Sequence, residues 1–232
     1  MLLDKGVDCS APDDDGWASV HTAASNGHVE VVKLLLDMGS NWSTTDEDGW
    51  TPVHGAADHG HVEMLQLLLD RGADCLVIDN DGSTPLHGAA RGGHIEVVKL
   101  LLDKGADCAS ADTDGWTPLH DAASNGHVEV VKLLLDRGAD RSVADNAGWT
   151  PVNRAAYNGY EDVVRLLLTD NQHPVSDPNG RTPLHLAALG GHMDMFNFLI
   201  DYGLDPHALD LRGDSVLCFA WKQEPLPEKF LF

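Results

Sequence analysis

The chain has 232 residues, of which 37 are Asp or Glu and only 15 are Lys or Arg, for a formal charge of −22. Neutralising phosphates needs clustered cations that this composition lacks, so neither nucleic acid nor an anionic membrane is expected as a partner. No apolar run approaches the ~20 residues of a membrane span and Met1-Leu2-Leu3-Asp4 makes no signal peptide, so an acidic intracellular, cytoplasmic protein is expected, its 43% apolar content sufficient for a packed core.

Taken from the N-terminus, residues 2–9 match 101–108 at all but one position, so the chain opens inside the second helix of a repeating unit. A turn glycine then recurs at Gly16, Gly49, Gly82, Gly115, Gly148, Gly180 and Gly213, with spacings of 33, 33, 33, 33, 32 and 33 residues. A fixed period of this size marks an array of supersecondary units that bury their apolar faces by stacking. Six full repeats are expected at 10–42, 43–75, 76–108, 109–141, 142–173 and 174–206, with partial units at 1–9 and 207–232, all within one domain spanning 1–232.

Each unit predicts the same elements, and the fourth shows them clearly. Asp112-Thr113-Asp114-Gly115 has the chemistry of a hairpin-like turn. Thr117-Pro118 opens a short helix, Pro118 to about Ser124, with the Thr hydroxyl free to cap and Pro at a position whose N–H is an orphan anyway. Gly126 breaks it, and a second helix follows with Val128, Val131, Leu134 and Leu135 as its apolar stripe, ended by Gly138. The fifth repeat departs from this pattern: Asn153 replaces the Thr-Pro-x-His histidine, Tyr160 replaces the Gly-His histidine, and the segment 169–176 is one residue short, with Asn171 expected in the left-handed position. At the C-terminus a helix is expected near Ser215–Lys222, while Pro225 and Pro227 forbid a regular second helix, leaving Phe230-Leu231-Phe232 to fold back as a cap.

The repeated words Trp116-Thr117-Pro118-Leu119-His120, Gly126-His127, Val128-Glu129-Val130-Val131-Lys132-Leu133-Leu134-Leu135 and Gly138-Ala139-Asp140 resemble those of the ankyrin repeat family over nearly the whole chain. The resemblance implies an all-α fold, an α-solenoid of helix-turn-helix units joined by β-hairpin-like fingers, curved with a concave groove. It also implies a non-catalytic module that binds a protein or peptide partner in that groove, and structural hydrogen bonds for the ten histidines in the two repeated slots, out of 13.

No cofactor motif is present: there is no Gly-rich phosphate loop, no Gly-x-Ser-x-Gly elbow, and no His-Glu-x-x-His or Cys/His quartet for a metal. Each Asp-x-Asp-Gly turn lacks the further ligands of a calcium loop. Cys9, Cys75 and Cys108 stand in phase, so stacking would hold them about 10 Å apart, beyond the ~7 Å Cα limit for a disulfide; they read as reduced, buried hydrophobes.

In an array the shared positions build the fold and the variable ones are free for recognition. By the resemblance, the slot after the turn glycine faces the partner: Trp17, Trp50, Ser83, Trp116, Trp149 and Arg181. Tryptophans in register are strong anchors for a partner, and His59, Arg91, Asp121, Arg154 and Tyr157 in neighbouring variable slots would add polar specificity, with a basic partner favoured by the acid along the fingers. An alternative places a small-molecule site, or an unusual cofactor-independent enzyme of isomerase or cyclase type, in a hollow between Trp50 and Trp116 where Gly55, Gly88 and Gly92 carry no side chains. There Asp121 or His59 would serve as acid or base, and Arg91 or Arg154 would hold an oxygen.

Overall fold

The computed structural model describes residues 12–14, 16–168 and 176–221. The partial repeat at 1–9, Asn171 and the tail beyond residue 221 lie outside them. Among the described residues there are thirteen helices, in pairs of a short helix and a longer one except in the fifth repeat, where the second helix is shortened to seven residues. They fall into two compact units, Met1–Thr113 and Asp114–Phe232.

The first unit holds α1 (Ser19–Ser25), α2 (Val29–Asp37), α3 (Pro52–Asp58), α4 (Val62–Asp70), α5 (Pro85–Arg91) and α6 (Ile95–Asp103). Each short helix packs on the long helix that follows it, α3 packs on both α1 and α5, and α2, α4 and α6 form a second row. The second unit repeats the plan with α7 (Pro118–Ser124), α8 (Val128–Asp136), α9 (Pro151–Asn158), α10 (Glu161–Leu167), α11 (Pro183–Leu189), α12 (Met193–Asp201) and α13 (Val216–Trp221), the last packed on α11.

The physical cause of the short helices lies in their first turn. In α3 the ring Nδ1 of His54 accepts both the Thr51 backbone N–H at 3.1 Å and the Thr51 hydroxyl at 3.0 Å. The threonine at the cap thus closes a reciprocal capping box with His54, its hydroxyl also donating to the ring. With Nδ1 an acceptor, Nε2 must carry the proton, and it donates to the Ser83 carbonyl of the next finger at 3.2 Å. The same relay runs from Thr117 through His120 to the Trp149 carbonyl in the second unit. One side chain thus ties helix start to neighbouring finger. The small residues Ala56, Ala57, Ala122 and Ala123 are fully buried and let adjacent short helices approach.

Gly126 illustrates the helix break. It sits at φ +77°, and any Cβ there would run into the Tyr160 ring, so both conformation and space require glycine. In α8 the buried stripe is Val130, Val131 and Leu134, with Val128 and Leu135 only half-buried. The stripe is rotated from the sequence expectation because the long helix packs both on its own short helix and on the next long one.

The fingers carry no strand among the described residues, apart from one antiparallel bridge between Leu209 and Ser215. They are nevertheless hairpin-like, each closed by a backbone bond such as Asp46 N–H to the Trp50 carbonyl and Asp145 N–H to the Trp149 carbonyl, at 3.0 and 2.9 Å. Successive fingers are joined in turn: Asn80 N–H bonds the Asp48 carbonyl, and Asn146 N–H the Asp114 carbonyl, both at 2.9 Å.

The fifth repeat pays for its missing histidines in one place and compensates in another. Asn153 is fully buried, and neither polar atom of its side chain has a hydrogen-bond partner, nor does the Thr150 hydroxyl; an amide is too short to make the relay. Tyr160 likewise cannot repeat the bond by which His61 Nε2 reaches the Ser25 carbonyl at 3.0 Å and His94 Nε2 the Asp58 carbonyl at 2.8 Å. Here Asn158 Nδ2 takes over, donating to the Ser124 carbonyl at 3.0 Å.

Candidate functional site

The slot after the turn glycine places an indole at the base of four fingers, with Ser83 and Arg181 in the same slot of two others. The turn aspartate fixes its backbone: Asp46 Oδ1 accepts the Trp50 N–H at 2.8 Å, and Asp145 Oδ1 accepts the Trp149 N–H at 2.9 Å. Trp17, Trp50, Trp116 and Trp149 are all half-buried. Trp17, Trp50 and Trp116 lie beside their own relay histidines, with ring centroids 6.0 to 6.2 Å apart.

In the first unit, Trp50 Nε1 donates to Asp79 Oδ2 of the next finger at 3.0 Å, so this indole supports finger stacking. Ser83 occupies the equivalent slot and holds its backbone N–H on Asp79 Oδ1 at 2.8 Å. On the neighbouring short helices, His59 is exposed; its Nδ1 donates to the Gly55 carbonyl at 3.0 Å. Exposed Arg91 lies 3.7 Å from the Asp58 carboxylate. The glycines of this region open no hollow. A Cβ on Gly55 would collide with the Ser25 hydroxyl, and one on Gly88 would stand 3.1 Å from Asp58 Oδ1. Both glycines are buried at close helix approaches rather than lining open space.

The second unit contains a more developed constellation. Arg154, on α9, lies with its guanidinium carbon 4.4 Å from the Trp116 ring centre and 4.7 Å from that of Trp149. Its Nε donates to Asp145 Oδ2 at 2.9 Å, and its Nη2 reaches the same oxygen. The Asp145 side chain is fully buried, and that of Arg154 is 21% exposed. Tyr157 stands edge-on to Trp149 at 5.3 Å and is itself exposed. The result is a rigid layer of indole, guanidinium, indole and phenol on one carboxylate. Stacked guanidinium and aromatic faces are a surface that reads planar or charged groups.

Two expected residues are engaged otherwise. Asp121, on α7, is buried at 6% exposure, not placed at an open rim. Arg181 turns back on its own finger, with Nε donating to Asp177 Oδ2 at 2.9 Å. Burial alone would raise the Asp177 carboxyl, but backbone and side-chain hydrogen bonds from Arg181 win and hold it below the usual carboxylate range.

The cysteines carry no visible chemistry. Cys75 is buried and Cys108 half-buried, both free; burial first, then the neighbouring Asp74 and Asp107, pushes their thiols up and keeps them protonated. Among the described residues, no three His, Cys, Asp or Glu side chains gather as a metal ion would need, and no helix is long and apolar enough to cross a membrane.

The stack on Arg154 was signalled in sequence only by a lone arginine in a slot otherwise occupied by Thr22, Gly55, Gly88, Asp121, Leu186 and Phe219. The role of Asn158 had no signal beyond its place two residues before Tyr160.

A family model described as ankyrin repeats (3 copies) matches residues 1–79, 74–145 and 137–210. Comparison with curated proteins finds no match.

Proposed function

The chain belongs to the ankyrin repeat family, and from that premise we propose that it is a non-catalytic recognition module for a protein or peptide partner. Ankyrin repeats are in general protein-interaction modules. The reading is carried by the Trp116–Arg154–Trp149 layer with Tyr157 at its edge. Aromatic and arginine side chains held rigid before binding lose little entropy on contact, and this is why they dominate hot spots. Trp17, Trp50, His59 and Arg91 form the corresponding patch of the first unit, where Ser83 leaves the third finger without an indole.

Selection of peptides from a random displayed library on the immobilised chain tests this reading. The affinities of the selected peptides for wild type and for the Trp116→Ala/Trp149→Ala variant, checked for helix content by circular dichroism, decide it. A loss of tenfold or more supports the assignment, since one central indole carries about 2 kcal/mol or more. Peptides that bind the folded variant as well as wild type remove it.

A further inference from the structure

The long helices follow one charge plan. In α2, α6 and α8 the first-turn acid is paired three residues on with a lysine: Glu30 with Lys33, Glu96 with Lys99 and Glu129 with Lys132, each at 2.7 Å. In register with Arg137, the residue after the last-turn acid Asp136, stand Arg71 and Lys104 in the other repeats. Gln66 stands in the lysine position of α4 and Met38 in the arginine position of α2, so α6 and α8 carry both cations while α2 and α4 each keep one.

The α12 helix keeps the acids and drops both cations. Asp194 and Asp201 occupy the two acid positions, but Asn197 stands where Lys132 would, and Tyr202 where Arg137 would. Phe198 replaces the leucine at position 133. Residues 194, 197, 198, 201 and 202 recur at three- and four-residue spacing, so they share one helix face. Neither Asp194 nor Asp201 has an ion-pair partner among the described residues.

This face does not lie open on its own. With Glu161 and Arg165 of the shortened α10 it lines a shallow groove of about 660 Å³. Arg165 donates to Glu161 at 2.9 Å and lies with its guanidinium carbon 3.9 Å from the Phe198 ring centre. The groove already holds one guanidinium on an aromatic ring beside a carboxylate, and two further carboxylates remain around exposed Tyr202. On the groove wall the amide oxygen of Asn197 is buried with no hydrogen-bond partner. Three acids against one arginine leave the groove with a formal charge of −2 (−3 + 1) from its lining residues.

We propose that the groove between α10 and α12 is a second recognition surface, which takes an arginine- or lysine-bearing segment of a protein partner. The incoming cation takes the place of the one or two that α2, α4, α6 and α8 supply from within: its charge lies between Asp194 and Asp201, and its side chain packs along Phe198 and Tyr202. Charge complementarity names the occupant, because the departure from the repeat plan removes the positive charge at both positions, keeps both acids, and adds aromatic surface at Phe198 and Tyr202. The proposal stands apart from the finger reading and uses none of its residues.

The test is fluorescence anisotropy with a fluorescein-labelled decapeptide of alternating Arg and Ser, and the same peptide with Glu for Arg. Asn197→Lys/Tyr202→Arg restores the repeat plan and adds two positive charges at positions where they occur elsewhere in the array, so folding is not at issue. Glu47→Gln/Asp48→Asn changes the net charge by the same amount on an exposed finger. Binding of the Arg peptide that weakens at least tenfold in the first variant and less than twofold in the second supports the groove. Equal losses in both would assign the binding to the overall negative field, and undetectable binding to wild type, or unchanged binding in Asn197→Lys/Tyr202→Arg, would overturn the proposal outright.

Discussion

Replacing Arg154 with Ala should be among the most costly single changes in the second unit, although the residue sits at the surface of the array. The structure gives the reason. Asp145 is fully buried, and its Oδ2 receives two hydrogen bonds from the guanidinium, while Oδ1 is held by the Ala147 and Trp149 backbone N–H groups at 2.9 Å. Removing one partner of a buried ion pair costs about 3–5 kcal/mol. The retained backbone bonds and the 21% exposure of Arg154 move the estimate to the lower end, about 3 kcal/mol, with the two ring contacts adding about 0.5–1 kcal/mol each where they are partly solvated. For a total of about 4–5 kcal/mol and a slope of about 1–3 kcal/mol per M, the urea midpoint followed by tryptophan fluorescence should fall by about 1.3 M or more. Arg154→Lys keeps the charge but not the fork or the planar stack, and should lie between wild type and Arg154→Ala. A midpoint within error of wild type for Arg154→Ala would refute the claim that this layer is built into the fold.

Two further outcomes follow from the same physics. Asn153→His should restore the relay missing from the fifth repeat and satisfy buried polar groups, raising stability by about 0.5–1.5 kcal/mol in urea unfolding; a lower midpoint would show that the shortened connection has closed the space the ring needs. His54 and His185 are held below the ordinary histidine range, burial being the largest cause. Each therefore binds a proton more readily in the unfolded chain, so their contribution is complete above about pH 6.5 and is lost as pH falls below it. In high salt, which screens the net charge, the urea midpoint should fall between pH 7.5 and 5.5, and a rise over that interval would contradict the assignment of these rings as buried and neutral.

The repeat period, the helix starts at Thr-Pro and the left-handed glycines were legible because they are local chemistry, repeated often enough to be unmistakable. The site was legible only as a set of positions. Trp116, Trp149 and Arg154 are separated by 33 and 5 residues, and nothing local says that the arginine lies between the indoles; register alone brings them together. Gly55 and Gly88 show the opposite limit. A missing side chain in sequence is compatible with a hollow or with a close approach, and here the Ser25 and Asp58 side chains fill the space. The α10–α12 groove has no local signature, because the long helices carry the shared pattern and a change of Lys to Asn197 and Arg to Tyr202 stands out only in register with the other repeats.

Amide hydrogen exchange on the full chain, alone and saturated with a peptide selected on it, tests the central claim most directly. The account predicts slowed exchange at 116–121 and 149–157, where the indoles and Arg154 are anchored, with the long-helix cores unchanged. Slowing confined to α8, α10 and α12, with those two segments exchanging as in the free chain, would contradict it.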